Sequence, residues 1–136
     1  MGKLLIVGTV AFDDIETPFG KTDKILGGAA TFIGLAASQF DVDSAIISVV
    51  GDDFPQKYLD LLTDRKIDIS ALEIVKGGKT FYWKGLYHND LNTRDTLATE
   101  LNVLADFKPV VPKSYNDADV VMLGNLHPFV QLSVIN

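Results

Sequence analysis

The stretch "KILGGAATFIGLAASQF", Lys24–Phe40, decides the fold. Two adjacent glycines open a run in which Ala29, Phe32, Ile33, Ala36, Ala37 and Phe40 recur at helical spacing, so a helix is expected from Gly28 with that face packed inward. Glycine is a poor helix former, and a pair of them at a helix start needs a reason. Bare backbone there allows positive φ and lets another group approach the main chain without a Cβ in the way. The N–H groups of the first turn, together with the helix dipole, would then favour a partially negative oxygen. The same pair also serves simply as a turn, and by itself it does not choose between the two.

Outward from this helix, the chain alternates. "KLLIVG", Lys3–Gly8, is a continuous apolar run ending in glycine, as expected of a strand buried on both faces. "SAIISVVG", Ser44–Gly51, is a second such run, and "DDFPQKYLDLLTDRKI" after it is amphipathic, with Phe54, Tyr58, Leu61 and Leu62 on one face and Asp52 or Asp53 as the expected N-cap. "ALEIV" reads as a third short strand. "DADVVMLGN" holds a further buried strand, Asp119–Leu123, closed by Gly124. Strands alternating with helices imply a doubly wound, mainly parallel α/β sheet flanked by helices.

Two segments break the pattern. Residues 12–25 alternate apolar and polar positions around Pro18 and Gly20 and read as a hairpin. Residues 79–100 carry a β-rich alternation through Phe81, Trp83 and Leu86. Both are excursions from the core layer. At the end, "HPFVQLSVIN" looks like the first turns of another crossover helix, so the chain is expected to be the N-terminal part of a longer protein. Cut there, it should be weakly stable or aggregate.

Composition narrows the function classes. The 136 residues are 47% hydrophobic and 22% charged, which suits one globular domain, and the formal charge of −6 disfavours nucleic acid or an anionic membrane as partner. There is no cysteine, hence no disulfide framework and no thiolate chemistry, and we read the chain as cytoplasmic. No apolar run approaches a membrane span. A dinucleotide fingerprint fails because Gly8 is followed by Thr-Val-Ala-Phe-Asp, and a Walker A loop fails because "GGAATF" contains no lysine.

Among polar residues, Asp13 and Asp14 lie just past the first strand, at the sheet edge where open α/β folds bind ligands. A carboxylate accepts two hydroxyl hydrogen bonds and so grips vicinal hydroxyls. Each aspartate also reads as a solvated turn acid. His88 and His127 lack metal-ligand spacing, and we expect no metal site. Tyr82, Trp83 and Tyr87 either line a substrate or cover a sheet face.

Taken together, "LLIVGTVAFDDI", "GGAATFIGLAA", "SVVGDDFPQKYLDLLTDRKIDIS" and "DADVVMLGN", in that order, resemble the N-terminal half of the ribokinase-like, or PfkB, family of carbohydrate and nucleoside kinases. The resemblance implies a ribokinase-like fold whose excursions form a small β-sheet lid and whose C-terminal part is absent from this chain. It implies that Asp13 accepts hydrogen bonds from substrate hydroxyls, and that the backbone at Gly27 and Gly28 approaches the substrate. Asn125 would add a polar contact and Phe81, Trp83 or Tyr87 lid contacts. Phe32 stands where many members carry Asn, which puts one substrate hydrogen bond in doubt.

By the same resemblance the cofactors are ATP and Mg²⁺, held mainly by the missing half. The catalytic aspartate is expected there too, leaving this chain inactive alone. The implied activity is ATP-dependent phosphorylation of a sugar hydroxyl, with a nucleoside acceptor or a non-catalytic sugar-binding or dimerisation module as the alternatives. A homodimer through the lid is a further implication.

Overall fold

The computed structural model describes residues 2–136. Its centre is the run of β-branched and aliphatic residues in β1 (Gly2–Val7) and β5 (Val42–Gly51), which pair in parallel with Leu5 opposite Ala45 and Val7 opposite Ile47. β10 (Val120–Leu123) adds in parallel on the far side of β1. β6 (Ile67–Asp68) and β7 (Leu72–Val75) pair in parallel with successive stretches of β5. Strand order in this layer is β10-β1-β5-β6.

Alternation along the strands sends side chains to two cores. Ile6, Ile46 and Val50 pack with Ala30, Phe54, Leu59, Leu62 and Ile67 on the face covered by α1 (Ala29–Ala37) and α2 (Gln56–Asp64). Leu5, Val7, Ala45, Ile47 and Val49 pack with Phe107 and Tyr115 on the other. There the covering comes from the 3₁₀ turns at Asn102–Asp106 and Lys113–Tyr115 and from α3 (Pro128–Ile135). A strand pair with apolar residues on both faces needs both layers.

A second sheet stands apart from the first. β2 (Ala11–Thr17) pairs antiparallel with β3 (Gly20–Lys21) and β4 (Ile25–Gly27) along one edge, and in parallel with β8 (Phe81–Tyr87) along the other. β9 (Arg94–Glu100) completes it, antiparallel to β8, with a register shift between Lys84 and Gly85. Both excursions of the chain thus meet in one sheet.

Several expectations are corrected. Phe32 and Phe40 do not pack inward: they are 60% and 75% exposed, and α1 buries Ala30, Thr31 and Gly34 instead. The reason is close approach, since a Cβ on Gly34 would sit 3.1 Å from Ile46 and 3.2 Å from Ile67, so small residues face the sheet. In α2 the buried pair is Leu59 and Leu62, not Leu61, and Phe54 is buried from the turn before the helix. Neither Asp52 nor Asp53 caps that helix, which begins after Pro55. Asp52 accepts from Gly77 N–H at 2.7 Å, and Asp53 from Thr80 N–H at 2.9 Å and Thr80 Oγ1 at 2.6 Å. These bonds tie the end of β5 to the start of β8. Finally, β10 is not buried: Val120, Val121 and Met122 are 57%, 38% and 48% exposed, because β10 pairs with β1 alone and forms the edge of the sheet.

Candidate functional site

β1 ends at Val7, and Gly8 and Thr9 carry the chain, still buried, into β2. Thr9 then acts on a helix twenty residues later. Its Oγ1 accepts from Ala29 N–H at 3.0 Å and its carbonyl from Ala30 N–H at 2.9 Å. Gly28, at the N-cap position, gives α1 no side-chain cap. Thr9 supplies that function across the tertiary structure, offsetting about 1 kcal/mol of the usual loss. So the expectation of free N–H groups in the first turn fails for Ala29 and Ala30, which are already spent.

The glycine pair serves this same packing. Gly28 has φ 99°, and a Cβ there would fall 2.9 Å from Val10 Cα and closer still to the Thr9 carbonyl. Gly27 lies under Asp13, and a Cβ on it would overlap that carboxylate. The bare backbone thus receives two groups of the protein itself, one of which is the carboxylate expected to bind substrate.

Asp13 is half-buried at the middle of β2. Burial, reinforced by the neighbouring Asp14 charge, pushes its carboxyl above the ordinary value. Asp14 points to the other side of the strand. It takes hydrogen bonds from Lys24 N–H and from the Tyr82 hydroxyl. Burial raises its pKa, but these two bonds outweigh that and leave it below the ordinary value. Asp14 is therefore a buckle joining β2 to β8 and to the turn just before β4, and not a solvated turn acid. Tyr82 shows the counterpart effect, with the bond to Asp14 first and burial second pushing its hydroxyl up to about 12.

A cleft of about 320 Å³ opens between the C-terminal end of β1, α1 and the second sheet, a size within the range of small-molecule sites. Asp13, Gly28, Asn125, Phe81, Trp83 and Tyr87 all line it, although they come from four separate stretches of sequence. Gly27 does not; it sits behind Asp13. Asn125 arrives because β10 runs parallel beside β1, with Gly124 N–H donating to Val7 carbonyl at 2.6 Å. Phe81, Trp83 and Tyr87 share a face by strand alternation.

Five further residues complete the lining: Ala11 and Ala29, and, with side chains that can contact a ligand, Thr9, Phe32 and Arg94. Phe32 is legible as an apolar residue in the glycine-pair helix, but its exposure is not. Arg94 pairs with Tyr87 across β8 and β9, and its guanidinium lies 6.0 Å from the Trp83 ring centroid. No local motif marks it, since only strand pairing brings it to the cleft. His88 and His127 lie elsewhere: His88 Nε2 is 2.9 Å from Asp95, and His127 Nδ1 accepts from Phe129 N–H at 3.2 Å at the start of α3.

Among the described residues, no group of three or more His, Asp or Glu side chains converges as a metal site would. No helix among them is long and apolar enough to cross a membrane.

The chain has the ribokinase-like fold. It superposes on the nucleoside kinase of Methanocaldococcus jannaschii, an archaeal member of the ribokinase family, with a TM-score of 0.75 at 22% identity, over 98% of this chain and 48% of that one. On ribokinase from Cryptococcus neoformans var. grubii, solved with ADP, the TM-score is 0.80 at 17% identity, over 99% of this chain and 46% of that one. In sequence it is 28% identical to a cytidine kinase of Thermococcus kodakarensis across 100% of this chain and 48% of that protein. The chain thus spans about half the length of the relatives it matches. No protein-family model matches it.

Proposed function

We propose that this chain carries the acceptor-binding part of a kinase that moves the γ-phosphoryl group of ATP to a sugar hydroxyl. The observation that carries this is Asp13: a half-buried carboxylate lining the cleft, with no hydrogen-bond partner among the described residues. Desolvating a carboxylate without a partner costs free energy, and a pair of substrate hydroxyls would offset it. Thr9, whose hydroxyl still has a proton to donate, and Asn125 supply further polar contacts at the same end of the cleft.

The second sheet acts as a lid in this proposal, because β2 and β8 carry the residues that face the acceptor. A closed lid excludes water, which competes with the sugar as phosphoryl acceptor. Relatives of this fold include sugar and nucleoside kinases, which supports the reaction class.

Among the described residues no group of three or more His, Asp or Glu side chains converges, and Asp52 and Asp53 accept from the N–H groups of Gly77 and Thr80, so Mg²⁺ is assigned in this proposal to residues outside this chain. What this chain contributes is therefore positioning of the acceptor oxygen, which is a large share of the barrier lowering in phosphoryl transfer.

The test is ATP-dependent phosphorylation of a panel of sugars and nucleosides by the protein expressed from its complete reading frame. Turnover that disappears in Asp13→Asn is expected. Turnover undiminished by that substitution, or none on any acceptor from a folded protein, overturns the proposal.

A further inference from the structure

We propose that Asp53, in the turn after β5, is a positioning residue: through Thr80 it fixes the root of β8, and with it the places of the Phe81 ring and the Asp13 carboxylate in the cleft. This rests on the acceptor-binding role given to Asp13 above. Asp53 itself lines no part of that cleft.

β2 and β8 carry the cleft residues of the second sheet and pair in parallel, with Ala11 opposite Phe81 and Asp13 opposite Trp83. The chain enters each strand through a buried threonine, Thr9 being 5% and Thr80 1% exposed. Thr9 is fixed by the N–H groups of Ala29 and Ala30 in α1. Thr80 is fixed by Asp53. Its N–H and its hydroxyl donate to the same oxygen, Asp53 Oδ1, at 2.9 and 2.6 Å, and its Oγ1 accepts from Gly51 N–H at 3.1 Å.

The returning end of the β8–β9 hairpin is tied to the same point. Asn102 Nδ2 donates to the Thr80 carbonyl at 3.0 Å, and Val103 N–H donates to the Lys79 carbonyl at 3.1 Å. Asn102 has φ 51°, a left-handed conformation that asparagine tolerates better than most residues. Thr80 thus has its N–H, its carbonyl and both functions of its hydroxyl engaged.

The reason for so many bonds at one residue lies in the topology. β8 has no strand ladder to the core layer: its partners are β2 and β9, while β5 pairs with β1, β6 and β7. Side-chain bonds at Thr80 therefore do what strand pairing does elsewhere. Phe81, the next residue, lines the cleft, and the ladder running unbroken from Ala11–Phe81 to Glu16–Leu86 carries any displacement of β8 to Asp13. A shift of about 1 Å at a group that orients a reactant costs up to about a hundredfold in rate. A carboxylate gives stronger, shorter hydrogen bonds than a neutral acceptor, which suits an anchor that must hold against such a shift.

The test is steady-state kinetics on the complete protein, with ATP and each sugar and nucleoside of the panel above, ribose and cytidine among them. Asp53→Ala should raise the acceptor KM about tenfold or more while the KM for ATP stays within about twofold. Asp53→Asn keeps Oδ1, which takes both of the shorter bonds, and should hold the acceptor KM within about threefold of the parent. Asn102→Gly keeps the left-handed conformation accessible, loses only the bond to the Thr80 carbonyl, and should raise the acceptor KM by a smaller factor. Hydrogen exchange gives a readout without turnover: in Asp53→Ala the amides of β8 and β9 should exchange about tenfold faster while those of β1 and β5 keep the parental rate.

Asp53→Ala that lowers kcat with both KM values unchanged, or that speeds exchange in β1 and β5 as much as in β8, marks a general loss of stability and overturns the proposal. So does Asp53→Asn proving as damaging as Asp53→Ala. If Asp53→Ala does not fold, Asn102→Gly decides, and an acceptor KM unchanged there is equally fatal. Parental kinetics in Asp53→Ala, with turnover still lost in Asp13→Asn, remove the role of Asp53 and leave that of Asp13 standing. No turnover on any acceptor by the folded parent removes both.

Discussion

The carboxylate of Asp13 occupies the space that a side chain on residue 27 would need, so Gly27 and Asp13 form one unit: the glycine is absent-side-chain backing for the acid. The residue that lines the cleft depends on one that does not. Gly27→Ala should displace Asp13 and weaken acceptor binding by about tenfold or more, since a displacement near 1 Å at a reacting group has effects of that order. Gly28→Ala meets both the positive φ and the Thr9 backbone, and should cost about 1–3 kcal/mol of stability. Isothermal binding and thermal melts separate the two outcomes.

Asp13 itself links function to pH. Its pKa is raised by burial and then by the charge of Asp14, so the folded protein favours the protonated form, and stability falls as pH rises from the ordinary carboxylate range through the raised value. Hydroxyls donate to the ionised form, so acceptor binding should strengthen over that same window. Asp13→Asn should flatten the pH profile and raise the acceptor dissociation constant about tenfold to a hundredfold, the worth of about 1.5–3 kcal/mol of charge-assisted bonding. It should also melt higher than the parent at pH 7, because the desolvated charge is gone.

The buckle between Asp14 and Tyr82 has the opposite sign at acid pH. Asp14 is held below its ordinary value, so its contribution is present above the ordinary carboxylate range and is lost as pH falls through the lowered one. Tyr82, pushed up from 10.0 to about 12, contributes fully below 10.0 and loses that contribution as pH rises towards about 12. Tyr82→Phe should therefore reduce stability at neutral pH by about 1 kcal/mol and shrink both losses. Chemical denaturation from acid to alkaline pH measures this.

Thr80 is a buried junction. Its hydroxyl donates to Asp53 and accepts from Gly51 N–H at 3.1 Å, while its carbonyl accepts from Asn102 Nδ2 at 3.0 Å. Thr80→Val keeps the shape and strands the Gly51 donor, so a loss of about 1–3 kcal/mol is expected. A melt unchanged from the parent would show that the junction contributes nothing.

The exposed side chains of β10 set the behaviour of the 136-residue chain expressed as such. An apolar edge strand flanked by Phe129, Leu132 and Ile135 of α3 is a template for association between copies. Val121→Lys should shift sedimentation towards the monomer. If the parent chain is already monomeric at high concentration, the edge is not sticky.

How much of this was legible before folding depends on distance along the chain. The runs Lys3–Gly8 and Ser44–Gly51 announce themselves because a strand buried on both faces can hold little but aliphatic residues, and β1 and β5 are those strands. The glycine pair and Asp13 are marked by residue type at a sheet edge, and the alternation of Phe81, Trp83 and Tyr87 by a period of two. What stayed hidden is contact across sequence. Thr9 caps a helix twenty residues away, Asp53 serves Thr80 instead of the helix beside it, and Arg94 reaches the cleft only by pairing with Tyr87. The exposure of Phe32 and Val121 is hidden for the same reason: periodicity tells which residues share a face, while only the packed neighbours decide whether that face is covered.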